Sequence, residues 1–213
     1  MTNFIPIFPL QIVLYPGEPL NLHIFEPRYK QLVRDCIAED KPFGIPAARG
    51  SQPLERGTLV KIMEVAKEYP DGQMDIRTEG MQVFEILTIV KEIPEKSYSG
   101  AIVNYPQNNL AQTESRIGEI IFGEVARLYA LMQVEEKMPR RTEKFNSYEI
   151  AHLVGLSYEQ EYELLGIYDE TQRLEYLRRH LKEIAPVVSQ LEILKERVKR
   201  NGHFRDLRSA GLL

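Results

Sequence analysis

Tryptophan is absent from this chain of 213 residues and cysteine occurs once, at Cys36. A single cysteine excludes an internal disulfide and a cysteine-rich zinc site. Histidine is scarce as well, and none of His23, His152, His180 and His203 stands in a His-Glu-x-x-His pair. No continuous apolar run approaches the roughly 20 residues of a membrane helix. No basic-then-apolar segment opens the chain, so the expectation is a cytoplasmic protein without a membrane span. Positive charge is not in excess either. Twenty-seven Lys and Arg against 31 Asp and Glu give a net charge of −4, which offers no general attraction to a phosphate backbone. The catalytic signatures of large enzyme classes are missing too. Gly118 and Gly123 have the spacing of a phosphate-binding loop, but Glu124 and Val125 follow where Lys and Ser or Thr are required. There is no Gly-x-Ser-x-Gly elbow and no Gly-x-Gly-x-x-Gly turn. The expectation is a protein with no cofactor, no metal and no catalytic residues.

What is present divides the chain in two. Residues 4–8 and 19–25 are apolar and β-prone, punctuated by Pro9 and by Pro16-Gly17. Pro27 occupies a first helical position, and Tyr29, Leu32, Val33, Cys36 and Ile37 follow at helical spacing, one stripe for a core. Cys36 on that stripe reads as a buried, inert thiol. Phe43-Gly44-Ile45 is a short strand. Thr58–Glu68, Gln73–Thr78 and Met81–Glu92 read as further strands around a Pro70-Asp71-Gly72 turn, and Tyr98–Asn104 as the last. Past Tyr105-Pro106 the period changes to that of helices. Ile117, Ile120, Ile121, Val125, Leu128, Leu131 and Met132 mark a first helical face. Ser147 caps a short helix ending at Gly155, and Ser157 with Gln160 has the spacing of a capping box. Asp169 and Gln172 repeat that spacing before the longest helix, which Pro186 should kink. The expected organisation is a β-rich part over 1–105, a helical bundle over 110–200 and a mobile tail over 201–213, an α+β arrangement.

Few side chains invite chemistry. Glu149 and His152 form one Glu-x-x-His, but a di-iron bundle needs two such pairs. The pair therefore reads as a surface or capping contact. His23 alternates with apolar Leu22 and Ile24 and so faces the opposite side of its strand, half exposed. Clustered carboxylates such as Glu159, Glu161 and Glu163 fit solvated helix faces. Two basic clusters, Lys137 to Lys144 and Arg197 to Arg208, lack the interleaved aromatics of a single-strand binder apart from Phe145 and Phe204. They read as a solvated loop and a helix end.

The opening Pro6-Ile7-Phe8-Pro9-Leu10, Tyr15-Pro16-Gly17 and Ile24-Phe25-Glu26-Pro27-Arg28-Tyr29 resembles the N-terminal, substrate-binding domain of the Lon ATP-dependent proteases. Gly57-Thr58-Leu59-Val60-Lys61-Ile62 and Thr78-Glu79-Gly80-Met81-Gln82-Val83-Phe84 are similar to the family's middle run, with Val83 where arginine often stands. Glu163-Leu164-Leu165-Gly166-Ile167 and Arg173-Leu174-Glu175-Tyr176-Leu177 resemble its helical part. The resemblance implies a PUA-like β pseudo-barrel with one short helix, followed by a helical bundle ending in a long helix. It also implies recognition of unfolded or tagged polypeptides, or of a partner protein, in protein quality control. The Walker motif and the Ser-Lys peptidase part of a full Lon protease have no counterpart in these residues, so the expectation is a binding module without catalysis.

Within that reading, Tyr15, Phe25, Tyr69 and Tyr98 are the candidate polypeptide contacts, being aromatics at turns and strand ends. Core packing is the competing role for each. Arg28 beside Glu26 reads as a structural ion pair. The rival function is RNA binding, since PUA-like barrels elsewhere bind RNA; the acidic net charge argues against it.

Overall fold

A computed structural model describes residues 3–110, 116–132 and 146–209. The elements in chain order are β1 (Phe4–Pro6), β2 (Pro19–Ile24), α1 (Pro27–Glu39), β3 (Phe43–Arg49), β4 (Gln52–Glu68), β5 (Met74–Val90), β6 (Gly100–Asn104), α2 (Arg116–Leu131), α3 (Tyr148–Ala151), α4 (Tyr158–Leu165) and α5 (Glu170–Ser209). The fold is α+β. The chain divides into two compact units, residues 1–111 with 148–170, and residues 112–147 with 171–213.

The first unit is a six-stranded antiparallel sheet in the order β1-β6-β5-β4-β3, with β2 added to the first half of β5. The chain after β1 returns to β3 through parallel bridges, Ile7 to Gly44 and Leu10 to Ala47, and this curls the sheet into a pseudo-barrel. Thr58 helps fix the same corner, its hydroxyl donating to the carbonyl of Leu14. Helix α1 begins at Pro27, which supplies a preset φ and no orphan N–H. Its Tyr29, Leu32, Val33 and Cys36 are buried against Ile24, Met74, Ile76 and Val60. Asp40 stops it in the left-handed region, at φ 47°, with its N–H on Ile37. A second cluster, with Ile5, Leu59, Phe84, Ala101 and Val103, fills the barrel interior.

Two features of the sheet differ from the sequence expectation. Gln73–Thr78 and Met81–Glu92 belong to one strand, β5, which continues through Gly80. That glycine is a packing residue rather than a breaker. A Cβ there would run into the backbone carbonyl of Tyr15, and the two chains are stitched by Gly17 N–H to Gly80 carbonyl (2.8 Å) and Gly80 N–H to Glu18 carbonyl (2.9 Å). Strands β3 and β4 form a tight hairpin at Gly50-Ser51, with Gly50 at φ +59°, so β4 begins six residues before Thr58.

Helices α3 and α4 belong to the first unit. Ser157 caps α4 as its spacing predicts: its side chain accepts from Gln160 N–H and Gln160 returns a bond to Ser157 N–H. In the second unit, Ile121, Val125 and Leu128 of α2 and Leu174, Leu177 and Leu181 of α5 are buried. Ile120 and Met132, on the predicted face of α2, are exposed. The buried Arg173 donates from Nε to Ser147 Oγ at 2.8 Å. Helix α5 passes through Pro186 and continues to Ser209.

Candidate functional site

The strand pairing leaves the outer edge of β4 beyond Val60 without a strand partner among the described residues. β3 begins at Phe43, opposite Val60, because Asp40 has just turned the chain out of α1. Beyond Val60, β4 is paired with β5 on one side only; among the described residues no strand pairs with its other edge. From Leu59 onward the β4–β5 ladder is interrupted three times, leaving Met81, Met63 and Ala66 out of register. Such bulges twist a strand and re-aim its side chains. A groove of about 330 Å³ follows, between this edge and the end of α1. Ile37, Met63, Val65 and Met81 line it and are 45%, 57%, 40% and 45% exposed. Cys36 lies beneath, buried, its thiol pushed up to about 12 by burial. It is no nucleophile.

The four predicted aromatic contacts separate into two pairs. Tyr15 and Tyr98 are core residues. Tyr15 is fully buried, stacks on Tyr148 at 4.8 Å and donates its hydroxyl to the Glu161 carbonyl. Tyr98 donates to Asp35 at 2.8 Å, on the same oxygen that Lys96 reaches. Burial opposes ionisation of Asp35, yet those two bonds hold its carboxyl below the usual range. Phe25 and Tyr69 instead flank His23, with ring centroids at 6.1 and 5.8 Å, and Phe25 is 59% exposed. His23 reaches Asp75 at 2.6 Å and Gln73 at 2.9 Å, and the bond to Asp75 is the first cause of its raised pKa. The registers carry this face across three strands: His23, Asp75 and Lys67 in one row, then Asn21, Arg77 and Glu64. Opposite charges meet in both rows, so this is a solvated sheet face.

His152 is bonded to Glu161 and Glu18. Its Nδ1 meets Glu161 at 2.7 Å and its Nε2 meets Glu18 at 3.1 Å, while the ring lies 4.9 Å from Tyr15. Among the described residues no group of three or more His, Cys, Asp and Glu side chains is placed to hold a metal. Among the same residues no helix is long and apolar enough to cross a membrane. The basic loop 137–144 and the side chains of Arg197 to Arg208 lie outside the described residues. Arg28 does pair with Glu26, at 2.8 Å.

A second cavity, of about 560 Å³, opens at the mouth of the pseudo-barrel. The segment after β1, the first turn of α1, the β3–β4 hairpin and the end of β5 form its walls. Neither cavity was read from the sequence. Ile62-Met63 carries one signal, two adjacent apolar residues that break strand alternation.

Comparison with known proteins places this geometry. The model of the ATP-dependent protease La (LON) substrate-binding domain matches residues 5–183. A Lon N-terminal domain protein from Xanthomonas campestris superposes with a TM-score of 0.64 at 25% identity, covering 83% of this chain and 98% of that one. The N-terminal domain of Mycobacterium avium complex Lon protease superposes with a TM-score of 0.59 at 16% identity, over 84% and 98%. Cereblon of Xenopus tropicalis is 32% identical over 90 residues, 39% of this chain and 20% of cereblon. Cereblon of Gallus gallus is 30% identical over 90 residues, 40% and 20%. The chain thus spans about a fifth of the cereblons it matches.

Proposed function

From the premise that the chain belongs to the ATP-dependent protease La (LON) substrate-binding domain family, we propose that it is a non-catalytic module that holds extended, apolar polypeptide segments. The observation that carries this reading is the unpaired edge of β4 from Lys61 onward, running beside the groove of Ile37, Met63, Val65 and Met81. An unpaired edge presents N–H and C=O groups at strand spacing, which an incoming extended chain satisfies whatever its sequence. Methionine suits such a surface because an unbranched thioether adapts to apolar partners of different shape. Lys61, Glu64, Lys67 and Glu68 lie along the same stretch. Charges there oppose self-association of the edge while leaving it open to a single client strand. In this reading the protein works in the cytoplasm, in protein quality control, and performs no chemistry of its own.

The test is fluorescence anisotropy of a labelled, permanently unfolded polypeptide titrated with the protein, the folded form serving as control. Selective binding of the unfolded form is expected at micromolar concentrations, roughly −8 kcal/mol. Met63→Glu places a charge in the groove and should weaken binding about tenfold, or 1.4 kcal/mol. Equal binding of the folded control, or no change with Met63→Glu, would overturn the assignment. Binding of a structured RNA at physiological salt, with none of the polypeptide, would favour nucleic acid instead.

A further inference from the structure

The cavity at the barrel mouth is built differently from the β4 groove, and its construction names a different ligand. Along the segment after β1 its main chain is already claimed. Ile7 N–H goes to the Ser99 carbonyl at 3.0 Å, Phe8 N–H to Gly44 at 2.8 Å and Leu10 N–H to Pro46 at 3.2 Å. An added strand finds nothing to pair with on that wall, and its selectivity falls to side chains. The register shows what those side chains offer. Ile5, Ala101 and Ile89 form one cross-strand row. Ile5 and Ala101 are buried, at 6% and 0%, yet Ile89 is 37% exposed. A member of an inward-facing row is thus open to solvent because it lines the cavity. Lys91, just past the end of β5, also lines it.

The charges give the sign of the ligand. Three charged side chains line the cavity: Glu26, Arg28 and Lys91. Glu26 and Arg28 neutralise one another at 2.8 Å. Lys91 has no carboxylate partner among the described residues, which leaves one cation in excess. The volume lies within the range of small-ligand sites, about 300 to 1,000 Å³, and barrel mouths are a recurrent place for them. We infer that the barrel mouth is a binding site for a small organic acid, its apolar body against Ile89 and Leu10 and its carboxylate on Lys91. This site is separate from the proposed polypeptide groove and does not depend on it.

Titration of the ¹⁵N-labelled full chain with 3-phenylpropionate, and with its uncharged amide as control, tests the inference by NMR. The amides of Gly50, Ser51, Ser97 and Ser99 should shift saturably. The acid should bind roughly threefold to fivefold more tightly than the amide, the scale of an exposed ion pair. Lys91→Gln should abolish that preference and leave the remaining spectrum in place, since the side chain is exposed and supports nothing. Ile89→Asn should weaken acid and amide alike. The inference is overturned if acid and amide bind equally to the unaltered protein. It is also overturned if the shifts fall along Lys61–Val65 instead, or if nothing saturates below about 10 mM, a binding free energy weaker than roughly −3 kcal/mol.

Discussion

Two helical segments cover the same pseudo-barrel and differ in how their polar contacts are distributed. Helix α1 is seated by apolar side chains, with Leu32, Val33 and Cys36 at 0%, 0% and 3% exposure, and Gln31 and Asp35 bond one connection, at Glu95, Lys96, Ser97 and Tyr98. The α3–α4 segment is apolar beneath too, at Ile150, Val154, Leu164 and Leu165, and tyrosine hydroxyls in and just after it reach three strands. Tyr158 donates to the Ala48 carbonyl at 2.8 Å, Tyr162 accepts from Arg56 N–H at 3.2 Å, and Tyr168 donates to Glu85. Arg56 also lies over the Tyr162 ring at 5.2 Å. Burial of area is non-directional and tolerates sliding; hydrogen bonds of this kind specify one register. The difference teaches that the polar contacts of α1 gather on one connection, whereas those of α3–α4 spread over β3, β4 and β5 and so fix its register on the sheet.

The largest expected effect breaks the apolar side of that comparison. Leu32→Ala leaves a cavity under α1 and should cost about 2–5 kcal/mol in urea denaturation. A loss under about 1 kcal/mol would mean that α1 is held by something other than packing. Gly80→Ala is next. Its Cβ meets the Tyr15 backbone carbonyl, which cannot yield as a flexible side chain would, and roughly 1–3 kcal/mol should be lost. An unchanged midpoint would show that the Tyr15–Glu18 turn moves freely. Tyr158→Phe sharpens the other side. It removes one hydroxyl and orphans the Ala48 carbonyl, for about 1 kcal/mol. Hydrogen exchange should quicken in α4 and stay unchanged in α1; uniform change across both would erase the distinction.

Legibility in the sequence follows the same division. The seating of α1 was readable because its chemistry is periodic: Pro27 sets the start, and Tyr29, Leu32, Val33 and Cys36 recur at helical spacing. Only Ile37, on the same stripe, is exposed, and it lines the β4 groove. The capping box at Ser157 was readable because it is local. What closes over long distances was not. Nothing near Gly80 announces Tyr15, and nothing near Tyr158 announces Ala48. The aromatics at turns drew attention as binding residues, yet Tyr15 and Tyr98 serve the core because each hydroxyl finds a partner far along the chain. The groove itself depends on where β3 stops pairing, a property of register rather than of any residue.

The smallest effect is the most specific to the α3–α4 segment. Both ring nitrogens of His152 face carboxylate oxygens, from Glu18 and Glu161. Carboxylates only accept, so both nitrogens must carry protons and the ring is an imidazolium. The Glu18 bond is the leading cause of a pKa raised from 6.5 to about 9, with burial opposing and Glu161 adding. A group whose pKa is raised by folding stabilises fully below its unfolded value and loses that contribution as pH climbs through the folded one. The contribution of His152 should therefore be constant below pH 6.5 and fade as pH rises through about 9. With 35% of the side chain exposed, solvent screens the pair and the whole effect should be about 0.5 kcal/mol. It should shrink further in high salt. The measurement is the stability of wild type minus that of His152→Gln, followed from about pH 6 to about pH 10. A difference that declines across the upper half of that range fits an imidazolium clamp between the Glu18 turn and α4. A flat difference would mean that the ring acts by packing against Tyr15 alone, and that the α3–α4 segment is held without help from this charge.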